Sequence, residues 1–498
     1  MNFLGIDIGT GACKAVVFDE AGRAQAAANR EYDALFLEGG GSELNSEEVI
    51  SKSMQCISEC SNLVEPLSIA AVGISSQGEA FTAIGKNGEF LSHAMISSDI
   101  RSEPYVHTWT KKFGEEKLYH ITGHTAHPLF TLFKLLWLKD NKADIWKKSA
   151  KFLCFEDLLQ FKLGIDPAIS WSLAGRTMLF DVINHKWDAE ILKEVGLNIK
   201  QLARPLASGT IAGKVGRDIA DTLGLPHDAI VVTGGHDQPC GALGAGVTRP
   251  GMGMYATGSV ECITAALERP LFSDSLRKYN MCTFDHTVND LYVTLAYSLT
   301  GGNILKWFKD EFGHFAIEEA EKKGLNAYDL LLEEAGSEPS ELLVLPYFTA
   351  SGTPYFDTKT KGAILGLRLS TKRGELIRAL LEGVAFEMRL NIEILEESGI
   401  EINELRAIGG GAKSPLWTQL KADVTGKKII TLNVTETGCL GAAMLACAAK
   451  TGTPVQNLAM SWIKPQSAIE PQVKNKNHYS RRFESYKQLY PLIKRFDF

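Results

Sequence analysis

The chain has 498 residues, 45% hydrophobic and 22% charged, an ordinary globular composition with material for two cores. A net charge of -7 offers no basic field for nucleic acid or an anionic membrane. No apolar run is long enough to span a bilayer, the N-terminus begins on a strand-like run rather than a basic leader, and the 9 cysteines include no CxxC pair, so a reduced cytoplasmic protein without disulfides is expected.

Taken in chain order, residues 3–8 and 15–19 read as strands flanking a Gly/Thr turn, Asp7-Ile8-Gly9-Thr10-Gly11-Ala12-Cys13-Lys14. Residues 47–62 read as a helix capped by Ser46, with Cys56 and Cys60 as small core residues. A short buried strand over 69–75 ends at Ser76-Gln77-Gly78-Glu79, and 129–140 has helical apolar spacing. Another buried strand, 230–233, ends at Gly234-Gly235-His236-Asp237 and leads into a Gly/Ala-rich helix running to about Gly246.

Thr248-Arg249-Pro250-Gly251 is the best boundary, giving units 1–247 and 248–498. The pattern then partly repeats. Strands over 252–256 and 262–266 flank a second Gly/Thr turn, Tyr255-Ala256-Thr257-Gly258-Ser259-Val260. A long helix over 375–398 precedes a strand at 405–408, a Gly409-Gly410-Gly411 turn and a small-residue helix over 441–449. The repeated hairpins look like an old duplication. The basic, aromatic tail 474–498 reads as a helix docked on a domain face.

Glycines let a turn approach a ligand closely, and neighbouring N–H groups and hydroxyls then converge on a phosphate. Asp7 closes an apolar strand, where a buried carboxylate is costly unless something offsets its charge. Either it holds Mg²⁺ through water, or it caps its own turn. Lys14 reaches a phosphate or is solvated. Asp237 stands at a strand's carboxyl end, where it takes the proton of a substrate hydroxyl as that oxygen attacks phosphorus, or caps the following helix. Gln238 bonds a second hydroxyl. Gln77 and Glu79 suit a polyol, or form an exposed turn. Asp99 and Arg101 form a second polar set, or a surface ion pair. The turn Gly409-Gly410-Gly411-Ala412-Lys413-Ser414 leaves room for a ring or a phosphate.

Three signals lead elsewhere. Gly251-Met252-Gly253-Met254-Tyr255-Ala256 fits a loose GxGxxA pattern but follows a loop and precedes a strand, against a nicotinamide site. No GxxxxGK[ST] loop occurs, which excludes a P-loop kinase. His120, His124 and His127 lack the partners of a metal site and read as polar loop residues.

These motifs, in this order, resemble the FGGY family of carbohydrate kinases over nearly the whole chain. The matching stretches are Gly5-Ile6-Asp7-Ile8-Gly9-Thr10, 131–141 with Lys134-Leu135-Leu136-Trp137, 234–246, Ala256-Thr257-Gly258-Ser259, Leu345-Pro346-Tyr347 with Thr353-Pro354, 361–367, Leu381-Glu382-Gly383 and 408–414. The resemblance implies an α/β fold of two actin-like (ribonuclease H-like) ATPase domains with a cleft between them. The first would carry the substrate and Mg-phosphate end, the second the adenine nucleotide. It implies an ATP- and Mg²⁺-dependent kinase acting on a hydroxyl of a small sugar or polyol. Asp237 would be the base, with Gln77, Glu79, Asp99, Arg101 and Gln238 beside the substrate. Asp7, Thr10, Gly11, Lys14, Thr257, Gly258, Gly302, Gly410, Gly411 and Ser414 would hold the nucleotide, and Asp7 and Asp237 the metal.

The departures concern the sugar. Xylulose kinases tend to carry Met-His-Gly, and glycerol kinases Gln-Arg-Glu, where this chain has Gln77-Gly78-Glu79; the usual Trp before the Asp-x-Arg segment is Ser97. Length and the Gly/Ala-rich 239–246 segment lean toward a ketose such as xylulose, with glycerol, erythritol and gluconate as alternatives. The rival from another class is an actin-like ATPase switch gripping a protein partner. A homodimer is one option for assembly; neither nucleic acid nor membrane is expected as a partner.

Overall fold

The computed structural model describes residues 1–496 and contains two mixed β-sheets built to one plan. The first sheet holds β1 (Asn2–Ile8), β2 (Ala12–Asp19), β3 (Ala24–Glu31), β4 (Ile69–Ser76), β5 (Ile211–Lys214) and β6 (Ile230–His236), in the order β5-β6-β4-β1-β2-β3. The second holds β7 (Gly251–Thr257), β8 (Glu261–Leu267), β9 (Phe284–Asp285), β10 (Tyr292–Ser298), β11 (Ile402–Ile408), β12 (Lys428–Leu432) and β13 (Pro465–Ile469), in the order β9-β10-β8-β7-β11-β12-β13. Each sheet opens with an antiparallel hairpin whose first strand also pairs in parallel with a later strand: β1 with β2 and β4, β7 with β8 and β11. The expected hairpins are therefore present, with Ile8 opposite Cys13 and Thr257 opposite Glu261. This is the two-domain α/β actin-like ATPase fold.

The helices that matter for the site are α1 (Ser46–Leu63), α2 (Thr131–Asn141), α3 (Asp237–Gly244), α4 (Gly302–Phe312), α5 (Arg373–Glu397), α6 (Pro415–Thr425), α7 (Thr437–Thr451) and α8 (Val473–Tyr486). The cap of α1 is Asn45 rather than the expected Ser46. The Asn45 Oδ1 accepts the N–H groups of Glu47 and Glu48 at 3.1 and 3.3 Å, while the Ser46 hydroxyl meets that of Thr82 at 2.7 Å. Cys56 and Cys60 lie in the core as expected, and all nine cysteines are free and buried. Among the described residues no helix is long and apolar enough to cross a membrane.

Side chains alternate across β1. Leu4, Ile6 and Ile8 pack with Val49, Ile50 and Ile57 of α1, while Phe3 faces the other side of the sheet with Leu440, Ala443 and Met444 of α7. Glycines bring α7 onto that face: a Cβ on Gly5 would lie 1.8 Å from the Cys439 carbonyl oxygen, and one on Gly73 2.0 Å from that of Ala442. The exchange is reciprocal. Ala242 and Ala245, from the first half of the chain, pack on Met252 and Met254 of β7. Helices α3 and α7 also meet through glycine, since a Cβ on Gly441 would lie 2.0 Å from the Cys240 carbonyl oxygen.

The tail docks as expected. Tyr479, Phe483 and Tyr486 of α8 are buried, and Tyr479 and Tyr486 donate to Glu382 and Glu387 of α5 at 2.8 and 2.5 Å. Residues 497 and 498 of that expected segment lie outside the described residues.

Candidate active site

Three parallel strands, β1, β4 and β6, end at one edge of the first sheet, with Ile8 opposite Ser76 and Ser76 opposite His236. That register gathers the Asp7–Gly9 turn, Gln77–Glu79 and His236–Gln238 at the carboxyl ends of the strands, the usual ligand edge of an α/β sheet.

Asp7 does not cap its own turn. Its Oδ1 accepts the Ser75 hydroxyl at 2.7 Å, and Gly438 at the start of α7 makes room for the other oxygen: a Cβ there would lie 2.6 Å from Oδ2. Burial pushes the Asp7 carboxyl above its ordinary range, opposed by the Ser75 hydrogen bond and the Lys14 charge. Asp237 is the first residue of α3, not its cap; His236 holds the cap position. Its Oδ1 has no hydrogen-bond partner. The His236 Nε2 stands 3.1 Å away at an angle that makes no hydrogen bond, and the Asp237 side chain is 30% exposed. Burial, then the charges of Asp7 and Glu79, push Asp237 up to about 8. An uncommitted carboxylate oxygen with raised proton affinity is chemically suited to take a proton from an alcohol.

The Gln77 amide donates to the Gly9 carbonyl at 2.9 Å, and its Oε1 is unpartnered, as is the Gln238 Oε1. Glu79 is buried rather than in an exposed turn. Its Oε1 takes two N–H groups of Arg176, the Nε at 2.6 Å, and its Oε2 accepts the Ser97 hydroxyl at 3.1 Å. Arg176 also meets His124 Nε2 at 2.9 Å. His124 Nδ1 donates to the Thr122 carbonyl at 2.7 Å, which leaves Nε2 as the acceptor of a neutral ring. Burial first, and the guanidinium second, hold His124 well below its ordinary range. His236 fills the space over Gly78, where a Cβ would lie 2.9 Å from the imidazole.

Arg176, His124 and His236 escaped the sequence reading as groups at this edge. The histidine reading also needs correction: His120 is on a helix and bonds the Glu116 carbonyl, while His124 is buried against Arg176. Among the described residues no group of three or more His, Cys, Asp or Glu side chains converges as a metal cage.

Asp99 and Arg101 form an ion pair, but a buried one. Both Asp99 oxygens accept from Arg101, one also from the Ser42 N–H at 3.0 Å, and Arg101 continues to Glu43 at 2.5 Å and lies 4.2 Å over the Trp137 ring. Their acceptors are committed within the protein.

On the second sheet a cavity of about 810 Å³ brings together Thr257, Gly258, Gly302, Gly410, Gly411 and Ser414, all expected from sequence, with Asn303, Tyr328 and Trp417, which were not. A Cβ on Gly411 would lie 2.3 Å from Thr257 Cγ2, and one on Gly302 2.7 Å from the Gly258 carbonyl oxygen. The Ser414 oxygen caps α6 by accepting the Trp417 N–H at 3.2 Å. Two turn N–H groups are not free for a phosphate, contrary to expectation: Gly9 donates to Ala12 at 2.9 Å and Gly258 to Val260 at 3.0 Å. Thr10 and Gly11 are exposed at the first turn, and Lys14, whose side chain keeps 42% exposure, is not free, its Nζ donating to Glu436 at 2.9 Å. The GxGxxA stretch lies in β7 and leads into a hairpin, not a helix.

The pattern of the FGGY family of carbohydrate kinases, N-terminal domain, matches residues 2–244, and that of its C-terminal domain matches 254–450. The chain is 27% identical over 490 residues to a xylulose kinase of Bacillus subtilis, covering 98% of this chain and 96% of that one. It is 26% identical to a gluconokinase of Bacillus subtilis over 89% of this chain and 86% of the other. Among solved structures, a xyloylose kinase from Brucella ovis superposes with a TM-score of 0.90 at 26% identity, covering 100% of both chains.

Proposed function

Because this chain belongs to the FGGY family of carbohydrate kinases, and is thus a phosphotransferase, we propose that it transfers the γ-phosphoryl group of ATP to a hydroxyl of a neutral ketose, xylulose first. The observation that carries this reading is the set of uncommitted buried acceptors at one strand edge, Gln77 Oε1, Asp237 Oδ1 and Gln238 Oε1. Polar atoms are rarely left unpaired in a folded protein, and a polyol supplies the missing hydroxyl donors. Asp237 takes the proton of the attacking hydroxyl, and Gln77 and Gln238 orient its neighbours. The cavity around Thr257, Gly302, Gly410 and Gly411 takes the nucleotide, its glycines leaving room for a flat ring.

The carboxylates of Asp7 and Asp237 fit Mg²⁺, which prefers one or two carboxylates and keeps its waters, and the Asp237 Oδ1 has no partner within the protein. When bound, the ion supplies positive charge to the phosphates.

Charge balance favours a neutral sugar over a sugar acid. Of the cations near this edge, Arg176 is neutralised by Glu79 and Lys14 is paired with Glu436, while the Lys134 ammonium donates to the Met95 and Ile96 carbonyls. Asp99 and Arg101 support the fold near the site through Ser42, Glu43 and Trp137 rather than as direct sugar ligands. Buried, unpaired cysteines support a reducing cytoplasmic setting. In this reading the two halves meet at 247/248 and the chain assembles as a homodimer.

The decisive experiment measures ADP release with ATP and Mg²⁺ over xylulose, ribulose, glycerol, erythritol, gluconate, fuculose and rhamnulose. Turnover with one or a few of the neutral sugars is expected. Selective turnover of gluconate would overturn the neutral-sugar reading. A sugar-independent ATPase would favour the protein-gripping switch.

A further inference from the structure

We propose that Lys421 is a positioning residue for the nucleotide: its buried ammonium fixes the Thr257 hydroxyl as a hydrogen-bond donor to the phosphate end of the cavity. The inference rests on the reading of that cavity as the nucleotide site.

Lys421 lies on α6, one turn beyond Trp417, and is buried. Its Nζ donates to Thr257 Oγ1 and, at 2.5 Å, to Glu261 Oε1. Glu261 is fully buried, and its other oxygen accepts the Tyr255 hydroxyl at 2.5 Å. The ammonium sits 4.4 Å from the centre of the Tyr255 ring and 4.6 Å from that of Trp417. These contacts tie both strands of the β7–β8 hairpin to a helix some 160 residues further along the chain.

The chemistry follows from what each group can offer. An ammonium has donors only. A hydroxyl that accepts from it keeps its own hydrogen to give, and a phosphate oxygen accepts only. The Gly258 N–H is already committed to Val260, so it cannot serve the ligand without opening the turn. Thr257 is thereby left as a donor of this turn that the fold holds ready. Its orientation is restricted as well. The β-branched side chain has few rotamers, and the Cγ2 methyl packs against Gly411, where even a Cβ would come within 2.3 Å. A hydrogen bond from the ammonium also polarises the hydroxyl and strengthens the bond it makes outward. Glu261 balances the cation, so the cluster remains neutral in the absence of nucleotide.

The test measures the dissociation constant of a non-hydrolysable ATP analogue by calorimetry, without sugar, together with KM for ATP and for the sugar. Lys421→Met is paired with Glu261→Gln so that no lone charge is buried. Thr257→Val removes the hydroxyl at nearly constant shape. Both the paired variant and Thr257→Val should weaken nucleotide binding about tenfold, the effect of one charge-assisted hydrogen bond, with the sugar KM unchanged. Combined, they should lose little more than either alone. Binding within twofold of wild type in the paired variant overturns the proposal, as do losses that multiply when the changes are combined. If wild type itself fails to bind the analogue, the nucleotide reading of the cavity fails first and takes this inference with it.

Discussion

The Arg176–Glu79 pair is the most exacting point at which to test the sugar end. Both side chains are buried, and two guanidinium N–H groups meet one carboxylate oxygen. Arg176→Met leaves Glu79 with only the Ser97 hydroxyl, and a stranded buried carboxylate costs about 3–5 kcal/mol. Replacing both partners removes that term, so Arg176→Met/Glu79→Gln should recover most of the loss, with a residue of about 1–2 kcal/mol from the unpaired His124 Nε2. The single change should lower the melting temperature by several degrees, and the double change by far less. Scanning calorimetry makes the comparison. Glu79→Gln alone also has a functional effect. It leaves the guanidinium uncompensated, so kcat/KM for gluconate relative to the preferred ketose should rise about tenfold, as a carboxylate gains a charged partner. Equal destabilisation in the single and double variants, or no shift toward gluconate in Glu79→Gln, would refute the charge-balance argument.

Asp237→Ala should reduce phosphoryl transfer by at least 10²-fold while leaving nucleotide affinity near normal, as read by calorimetry beside initial rates; affinity lost together with turnover would point to damaged structure. Burial pushes Glu387 up to about 7 against its hydrogen bonds from Tyr486 and Tyr347. Because its folded value lies above its unfolded one, the stability it contributes is full below about 4.5 and is lost as pH rises through about 7, some ~3 kcal/mol in all. Urea midpoints for Glu387→Gln should therefore match wild type near pH 5 and exceed it at pH 8.5, and parallel pH curves for the two proteins would contradict the assignment. Gly441→Ala places a Cβ 2.0 Å from the Cys240 carbonyl oxygen and should cost about 3 kcal/mol or more, seen as a lower melting temperature and reduced turnover. Chelating divalent cations should abolish transfer without weakening sugar binding in equilibrium dialysis.

What could be read in advance was what neighbours along the chain decide. Apolar runs ending in glycine and an acid marked β1 and β6, and the two hairpins followed from their own turns. Thr257, Gly302 and Gly411 share a cavity because β7, β10 and β11 run in the same direction and end at one edge of the second sheet. The rest depended on partners distant in sequence. Arg176 carries no motif, and its meaning comes from Glu79, 97 residues earlier. Lys421 looks like an ordinary surface lysine on α6 until the fold sets it under Thr257. Asp99 and Arg101 read as a sugar-facing pair because their ties to Ser42 and Glu43 cannot be seen locally. Asn45 and Ser46 are both competent caps, and only the approach of Thr82 decides between them.

Because Ala242 and Ala245 lie on β7 and α7 lies on β1, neither stretch 1–247 nor 248–498 owns a finished interior. Severed there, the amino-terminal fragment would present Phe3, Val16, Phe18 and Val232 bare to solvent, and its counterpart would carry a greasy helix with nowhere to lie. Two such pieces made together should seek each other and restore a working enzyme, whereas either made alone should aggregate. The molecule behaves as a clasped pair of hands rather than two beads on a string, and its halves have to mature jointly.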